Sequence, residues 1–308
     1  MAAVTAGMVK DLREMTGAGM MDCKKALSAV DGDMDKAVEY LRENGMAKAA
    51  KKAGRIAAEG IVKVVVEGKK AAIVEVNSET DFVAKNADFN AYVDAVAAQA
   101  LTTSAADIDA FLAESWAKDP SKTVADELAS QIAVIGENLK IRRFAQIEAT
   151  NGFVSSYIHM GGKIGVLVDV ETDVVNPAIE EMAKNVAMQA AALKPVYTSR
   201  DEVDADYIAK ETEILTIQAK NEKPDANDKI IEGMVKGRVA KELKEICLLD
   251  QVYVKAEDGK QSVGAYVAAV AKENNANVKI KSFVRFETGE GIEKKNEDFA
   301  AEVAAQLG

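Results

Sequence analysis

Acid–base, nucleophilic and metal chemistry draw on a short roster of side chains, and that roster is thin here. His159 is the single histidine among 308 residues, which argues against a Ser-His-Asp triad and against a His-rich metal site. It stands beside Gly161-Gly162, where a lone histidine is more often structural than catalytic. Cys23 and Cys247 lie far apart and outside any C-x-x-C pattern, so they suggest a reducing cytoplasm and no disulfide framework. Acidic pairs such as Asp169/Glu171 and Glu180/Glu181 are commonplace in a chain with 50 carboxylates, and none stands out as an acid–base couple. No G-x-x-x-x-G-K-[ST] loop occurs, and Gly289-Glu290-Gly291 lacks the third glycine and the βαβ context of a dinucleotide site. The expectation is a protein that acts by binding, with no cofactor or metal of its own.

One short stretch does suggest action on a partner. The run Ala71–Asn77 alternates apolar and polar and ends at Asn77-Ser78, as a strand does. Downstream, Phe89, Tyr92, Val93 and Val96 recur at helical spacing, and Asp81 offers an N-cap carboxylate before them. Thr80-Asp81-Phe82-Val83 therefore lies on a strand-to-helix connection, where scaffolds commonly hold functional residues. Phe82 either plugs the seam between strand and helix or is offered to a partner; the pattern alone leaves both open.

Composition limits the field further. Apolar residues at 48% and charged residues at 29% describe an ordinary globular protein with room for two or three cores. No apolar run approaches the ~20 residues needed to span a bilayer. Met1–Gly7 shows neither a basic n-region nor a long apolar core, so a cytoplasmic location is expected. A net charge of −11 argues against direct nucleic-acid binding. The first 56 residues are the exception, with ten Lys/Arg against eight Asp/Glu. Their basic cluster of Lys48, Lys51, Lys52 and Arg55 reads as a solvated helix or linker face, with docking on an acidic partner as the other reading.

The elements that must position Phe82 fall into an α+β pattern. Residues 1–55 predict three short helices: one through Val9, Leu12 and Met15, a second capped by Asp22, and a third capped by Asp33 and stopped by Asn44-Gly45. A weak internal repeat follows. Gly68–Val76 is echoed by Gly162–Val170, Glu79–Val83 by Glu171–Val175, and Val96–Ala100 by Val186–Ala190, the offset drifting from 94 to 92 to 90. Each copy starts with an extra strand, Gly60–Val66 or Gly152–Ile158, so two antiparallel α+β subdomains are expected, at 56–151 and at 152–197 with 234–288. Copy one has Phe82 where this alignment gives copy two Val174, which favours a functional reading of the aromatic. Residues 198–233 read as an inserted helical hairpin, with capping-box spacing at Ser199–Glu202 and a break at Lys223-Pro224. A strand Val278–Glu287 then completes the second sheet. A last amphipathic helix through Phe299, Val303 and Leu307 lies in a C-terminal module, 289–308.

Two long motifs add a resemblance. Glu79-Thr80-Asp81-Phe82-Val83-Ala84-Lys85-Asn86, and Leu12–Leu27 with its core Thr16-Gly17-Ala18-Gly19-Met20-Met21-Asp22-Cys23, resemble the signatures of the bacterial translation elongation factor Ts family. The likeness continues through Ile135-Gly136-Glu137-Asn138, Arg142-Arg143, Gly165–Val168 and Phe286–Lys294, and so covers essentially the whole chain. It implies a ubiquitin-associated-like three-helix domain at 1–55 and guanine nucleotide exchange on elongation factor Tu, without turnover by this chain. It further implies that Thr80, Asp81, Phe82 and Val83 dislodge Mg²⁺ from that partner. Arg13, Met20, Met21, Ile135 and His159, with the module after Gly289, would provide partner contacts. Family members use the 198–233 region for self-association; the residues equally allow a hairpin resting on its own domain. The rival classes are a ubiquitin-associated-type adaptor, which would need only residues 1–55, and an enzyme with an unrecognised carboxylate site, which would need no protein partner.

Overall fold

The computed structural model describes residues 4–293. The helix expected through Phe299, Val303 and Leu307 lies outside the described residues.

At the N-terminus, α1 (Ala6–Thr16) is capped by Thr5 and ended by Gly17 in the left-handed conformation. Helix α2 (Met20–Ala29) starts after Gly19 without a side-chain cap. Asp22, expected to cap it, sits inside its first turn, and its carboxylate instead meets Lys48 at 2.8 Å. Asp33 does cap α3 (Met34–Lys52), accepting from Lys36 N. That helix does not stop at Asn44-Gly45 but runs on to Lys52, so the expected linker is its last two turns. The reason is tertiary: Gly45 faces the helix Val124–Ile135, and a β-carbon there would lie 3.7 Å from Ala129 O and 3.8 Å from Ala133 Cβ. Packing against that neighbour outweighs the low helix propensity of Asn-Gly. The Arg42 guanidinium, 2.6 Å from the nearly buried Asp126 carboxylate, adds a second attachment.

The rest of the described chain is one plan used twice. In the first copy, β1 (Glu59–Glu67) and β2 (Lys70–Ser78) form a hairpin, followed by α4 (Asp81–Ala84), α5 (Ala87–Thr102) and α6 (Ile108–Ala113). Two short paired strands, β3 (Ser115–Trp116) and β4 (Asp119–Thr123), then lead into α7 (Val124–Ile135) and β5 (Lys140–Glu148). The second copy has β6 (Gly152–His159), β7 (Ile164–Thr172), α8 (Pro177–Leu193), a long helical hairpin of α9 (Ala205–Glu222) and α10 (Asp228–Ile246), then α11 (Val263–Glu273) and β8 (Val278–Glu287). The sheets are antiparallel, ordered β1-β2-β5 and β6-β7-β8.

Details repeat along with the outline. Gly60 and Gly152 have φ of 125° and 122°, and a β-carbon at either would overlap the carbonyl of the facing strand, Val76 or Val170. The middle strands meet a bulge at the same point, between Glu75 and Val76 and between Asp169 and Val170. Buried Gln99 accepts from Ala117 N and donates to Ser115 O; buried Gln189 accepts from Val254 N and donates to Val252 O. Thr123 caps α7 and Ser262 caps α11. The repeat thus extends over α7 with β5 and α11 with β8, which the sequence comparison did not detect. The second copy carries its hairpin where the first has α6. The expected hairpin segment 198–233 holds α9 and the start of α10, and α10 continues to Ile246. The capping-box spacing at Ser199–Glu202 makes only a 3₁₀ turn, Arg200–Glu202, and Asp204 caps α9 instead.

Strand alternation sorts the core. Ala72, Val74 and Val76 face α5, with Phe89, Val93 and Val96. Val166, Val168 and Val170 face α8 and α11. The other faces meet each other: Val62, Ala71, Ile73, Val154, Leu167 and Phe286 pack between the two sheets. Gly165 permits that approach, since a β-carbon there would stand 2.5 Å from Val62 Cγ1. The result is two face-to-face sheets with helices on their outer sides.

Candidate functional site

The step from middle strand to following helix differs between the copies, and Phe82 lies in the difference. Ser78 ends β2 and its hydroxyl donates to Thr80 O; Thr172 ends β7 and donates to Val174 O. Asn86 caps α5, and Asn176 caps α8. The first interval is therefore four residues longer, which accounts for the offset falling from 94 to 90. Those four residues form α4. Phe82 has no structural counterpart in the second copy, so its alignment with Val174 does not hold. Val174 packs against the second core. Phe82 is 80% exposed, so it plugs no seam.

The loop beneath Phe82 is held from behind. Thr80, and not Asp81 as expected, is the N-cap of α4, its hydroxyl accepting from Val83 N at 3.4 Å. The same hydroxyl donates to Glu137 Oε1 at 2.7 Å. Glu79 N and Thr80 N both donate to Glu137 Oε2, at 3.0 and 3.1 Å. In return, Asn138 N donates to Glu79 Oε1 at 2.6 Å. The turn after α7 thus clamps the base of the Phe82 loop through charge-assisted bonds. Val83 turns inward against the first core. Asp81 points outward, and the Lys85 ammonium at 2.7 Å holds its carboxyl below the usual carboxylate range, aided by the charge of Lys163. It is a carboxylate at neutral pH.

The remaining candidates are spread around this loop. Ile135 ends α7 half-buried and packs on the first core. His159 is exposed at the end of β6, its Nδ1 2.9 Å from the Tyr157 hydroxyl, and the exposed Met160 follows it. Lys163, from the same β6–β7 turn, pairs with Glu59 on β1 and is the Lys163 felt by Asp81. Arg13, Met20 and Met21 are exposed on α1 and α2, so the methionine pair is not core; Met15 joins them at the surface. Contacts link this face to the loop: Asp22 to Lys48, Lys52 Nζ to Gly136 O, Asn138 Nδ2 to Arg55 O, and Arg55 to Glu79. Lys48, Lys52 and Arg55 of the basic cluster thus tie α3 and the chain after it to the clamp, while Lys51 and Arg55 stay exposed to solvent.

Burial pushes the thiols of Cys23 and Cys247 up, away from thiolate reactivity. Among the described residues no three His, Cys, Asp or Glu side chains gather to hold a metal ion. No helix among them is long and apolar enough to cross a membrane. The motif Ile135-Gly136-Glu137-Asn138 carries no clamp in its residue types alone; a carboxylate directly after a helix-ending glycine is the signal that points to one.

Comparison with known proteins bears directly on this geometry. A family model described as Elongation factor TS matches residues 79–290, a span that opens at the clamped loop. The elongation factor Ts of Clostridioides difficile (strain 630) is 55% identical over 309 residues, covering 100% of both chains. Those of Clostridium botulinum (strain Eklund 17B / Type B) and Clostridium tetani (strain Massachusetts / E88) are 53% and 50% identical, each covering 99% of both chains. The chain belongs to the elongation factor Ts family. As a member of the elongation factor Ts family it is a translation elongation factor, and its α+β build of N-terminal helices and antiparallel sheets is consistent with an elongation factor Ts fold.

Proposed function

We propose that the chain binds elongation factor Tu and accelerates GDP release by disturbing that partner's Mg²⁺ and phosphate-binding region, performing no covalent chemistry itself. The observation that carries this reading is Phe82, 80% exposed on a four-residue helix whose base Glu137 clamps. A large apolar side chain held in water by a rigid support is suited to entering a partner. A GTPase grips GDP through its phosphate loop and Mg²⁺, whose geometry tolerates little displacement. Phe82 acts as the wedge, the Asp81 carboxylate as a competitor for polar groups that support the metal, and Thr80 and Val83 fix both in place.

Magnitudes require help from elsewhere. Burying one Phe supplies ~1.5–3 kcal/mol, whereas a thousandfold faster release needs a barrier lowered by ~4 kcal/mol. Arg13, Met20 and Met21, His159 and the surface around Ile135 are the proposed further contacts. Exposed, adaptable methionines beside a glycine-rich turn suit such docking. Reciprocity follows: a factor that weakens GDP binding is itself bound more weakly when GDP is present. The proposed location is the cytoplasm, where translation takes place.

Release of a fluorescent GDP from elongation factor Tu tests this. The parent is expected to accelerate release strongly, and Phe82→Ala to lose most of the acceleration while still binding. Full acceleration by Phe82→Ala would move the cause to other contacts; none by the parent would leave the adaptor reading in front.

A further inference from the structure

Between the two sheets, on the same face of β2 as Ile73, lies a fully buried carboxylate, Glu75. Burying a charge is costly unless it is paired and hydrogen-bonded. Glu75 accepts from Arg142 Nη1 at 3.0 Å, Arg143 Nε at 2.6 Å and Asn77 Nδ2 at 3.0 Å. Its fourth donor is a main-chain amide from far along the chain, Gly289 N at 2.8 Å.

That amide belongs to the segment that leaves β8 and crosses from the second sheet to the first. Arg143 stacks over the Phe286 ring at 4.2 Å and reaches Glu287 O and the Glu290 carboxylate, each at 3.2 Å. Arg142 Nη2 donates to Glu290 O. Thr288 N donates to Lys163 O at 2.9 Å, and its hydroxyl to Gly162 O at 3.2 Å. Gly289 itself has φ of 71°, and a β-carbon there would overlap Ala58 O. The crossing segment is therefore fitted to one path, which passes the β6–β7 turn and ends on Glu75. From Glu75 the contacts run through Asn77 to the strand end that carries Thr80.

We infer that Glu75 is a positioning residue for nucleotide exchange, fixing the segment that leaves β8, and through it the β6–β7 turn next to His159, in register with the Thr80–Val83 loop so that one partner meets turn and loop at once. The inference rests on the proposed function and deepens it. Glu75 touches no partner; its effect is on whether two distant parts of the chain are presented together. Loss of this registration weakens capture of the partner but leaves the wedge intact.

The experiment titrates the full-length chain against elongation factor Tu loaded with fluorescent GDP, comparing the parent with Glu75→Gln, Gly289→Ala and Phe82→Ala. Glu75→Gln removes the charge that draws the two arginines; Gly289→Ala displaces the same segment without touching that charge. Both are expected to raise the half-saturating concentration at least about tenfold and to keep the maximal release rate. Phe82→Ala is expected to lower the maximal rate. Hydrogen exchange at the Gly289 amide, read separately, should quicken in Glu75→Gln. Unchanged half-saturation in both Glu75→Gln and Gly289→Ala, with the Gly289 amide deprotected, would overturn the inference and leave Glu75 a purely structural group. Should Glu75→Gln fail to fold, Gly289→Ala decides alone. If the parent gives no acceleration, the proposed function itself fails, a result separable from any difference among the variants.

Discussion

Replacing Glu137 with Gln asks how much of the Phe82 loop depends on one carboxylate. Three donors converge on its two oxygens, two of them main-chain amides, and an amide side chain must turn its own NH₂ towards one of them. Leaving such a donor unsatisfied costs about 1–3 kcal/mol, and Glu137 is half-buried, so the lower end applies. Urea unfolding should show that loss for Glu137→Gln, together with slower maximal GDP release although Phe82 is still present. Phe82→Ala should show the opposite pairing, with stability within about 0.5 kcal/mol of the parent because the side chain contributes little to the core. A Glu137→Gln protein as stable and as active as the parent would remove the clamp from the account. Asp81 illustrates the same division at the surface: its carboxylate is spent partly on Lys85, an exposed pair that contributes little to folding.

Among the elements, α9 and α10 are joined by a side-chain bond whose pH behaviour can be checked. The Tyr207 hydroxyl donates to Glu242 Oε1 at 2.6 Å, and that hydrogen bond, with some burial and the nearby carboxylates, pushes the phenol up to about 12. A group whose folded pKa is raised contributes stability that is complete below its unfolded value, about 10, and is lost as pH rises through about 12. The tie should therefore be constant through neutral pH and fail only in strong alkali. A tyrosinate absorbance titration in which Tyr207→Phe removes a component titrating near 12 would verify it; a component lost near pH 10 would contradict it. The hairpin also shows what could be read beforehand. Its break at Lys223-Pro224 was legible, but its starting cap was not, because Asp204 and Ser199 are equally good caps until the chain around Arg200 is packed. Strands β1, β2, β6, β7 and β8 were legible from alternation and bounding glycines. Strand β5 with α7 and α11 went unnoticed, since each is placed by partners distant in sequence, such as the carbonyls Glu114 O and Gln251 O that receive Val124 N and Val263 N. Asn44-Gly45 misled for a similar reason: a neighbour helix decided the matter. At Phe82 the residue was legible and its exposure was not, because exposure depends on the length of the loop.

For the whole molecule, the second copy closes its strand-to-helix step with Thr172-Asp173-Val174-Val175-Asn176. Removing residues 81–84 would leave Ser78-Glu79-Thr80-Lys85-Asn86, a connection of the same length. Deletion of α4 is thus expected to keep the fold, with far-UV circular dichroism near that of the parent and a thermal midpoint lowered by the lost packing of Val83 and Ala84, while abolishing acceleration of GDP release. Unfolding of the deletion variant would mean that the first core cannot close without Val83 and Ala84. The two sheets share one inner layer and each has its own helices outside, so the hairpin in one copy and α4 in the other are additions at the margin of a common frame. In terms of descent, such a frame can be copied first and told apart later. Four codons in one copy and a longer insertion in the other can diverge separately, without any residue between the sheets having to change in step.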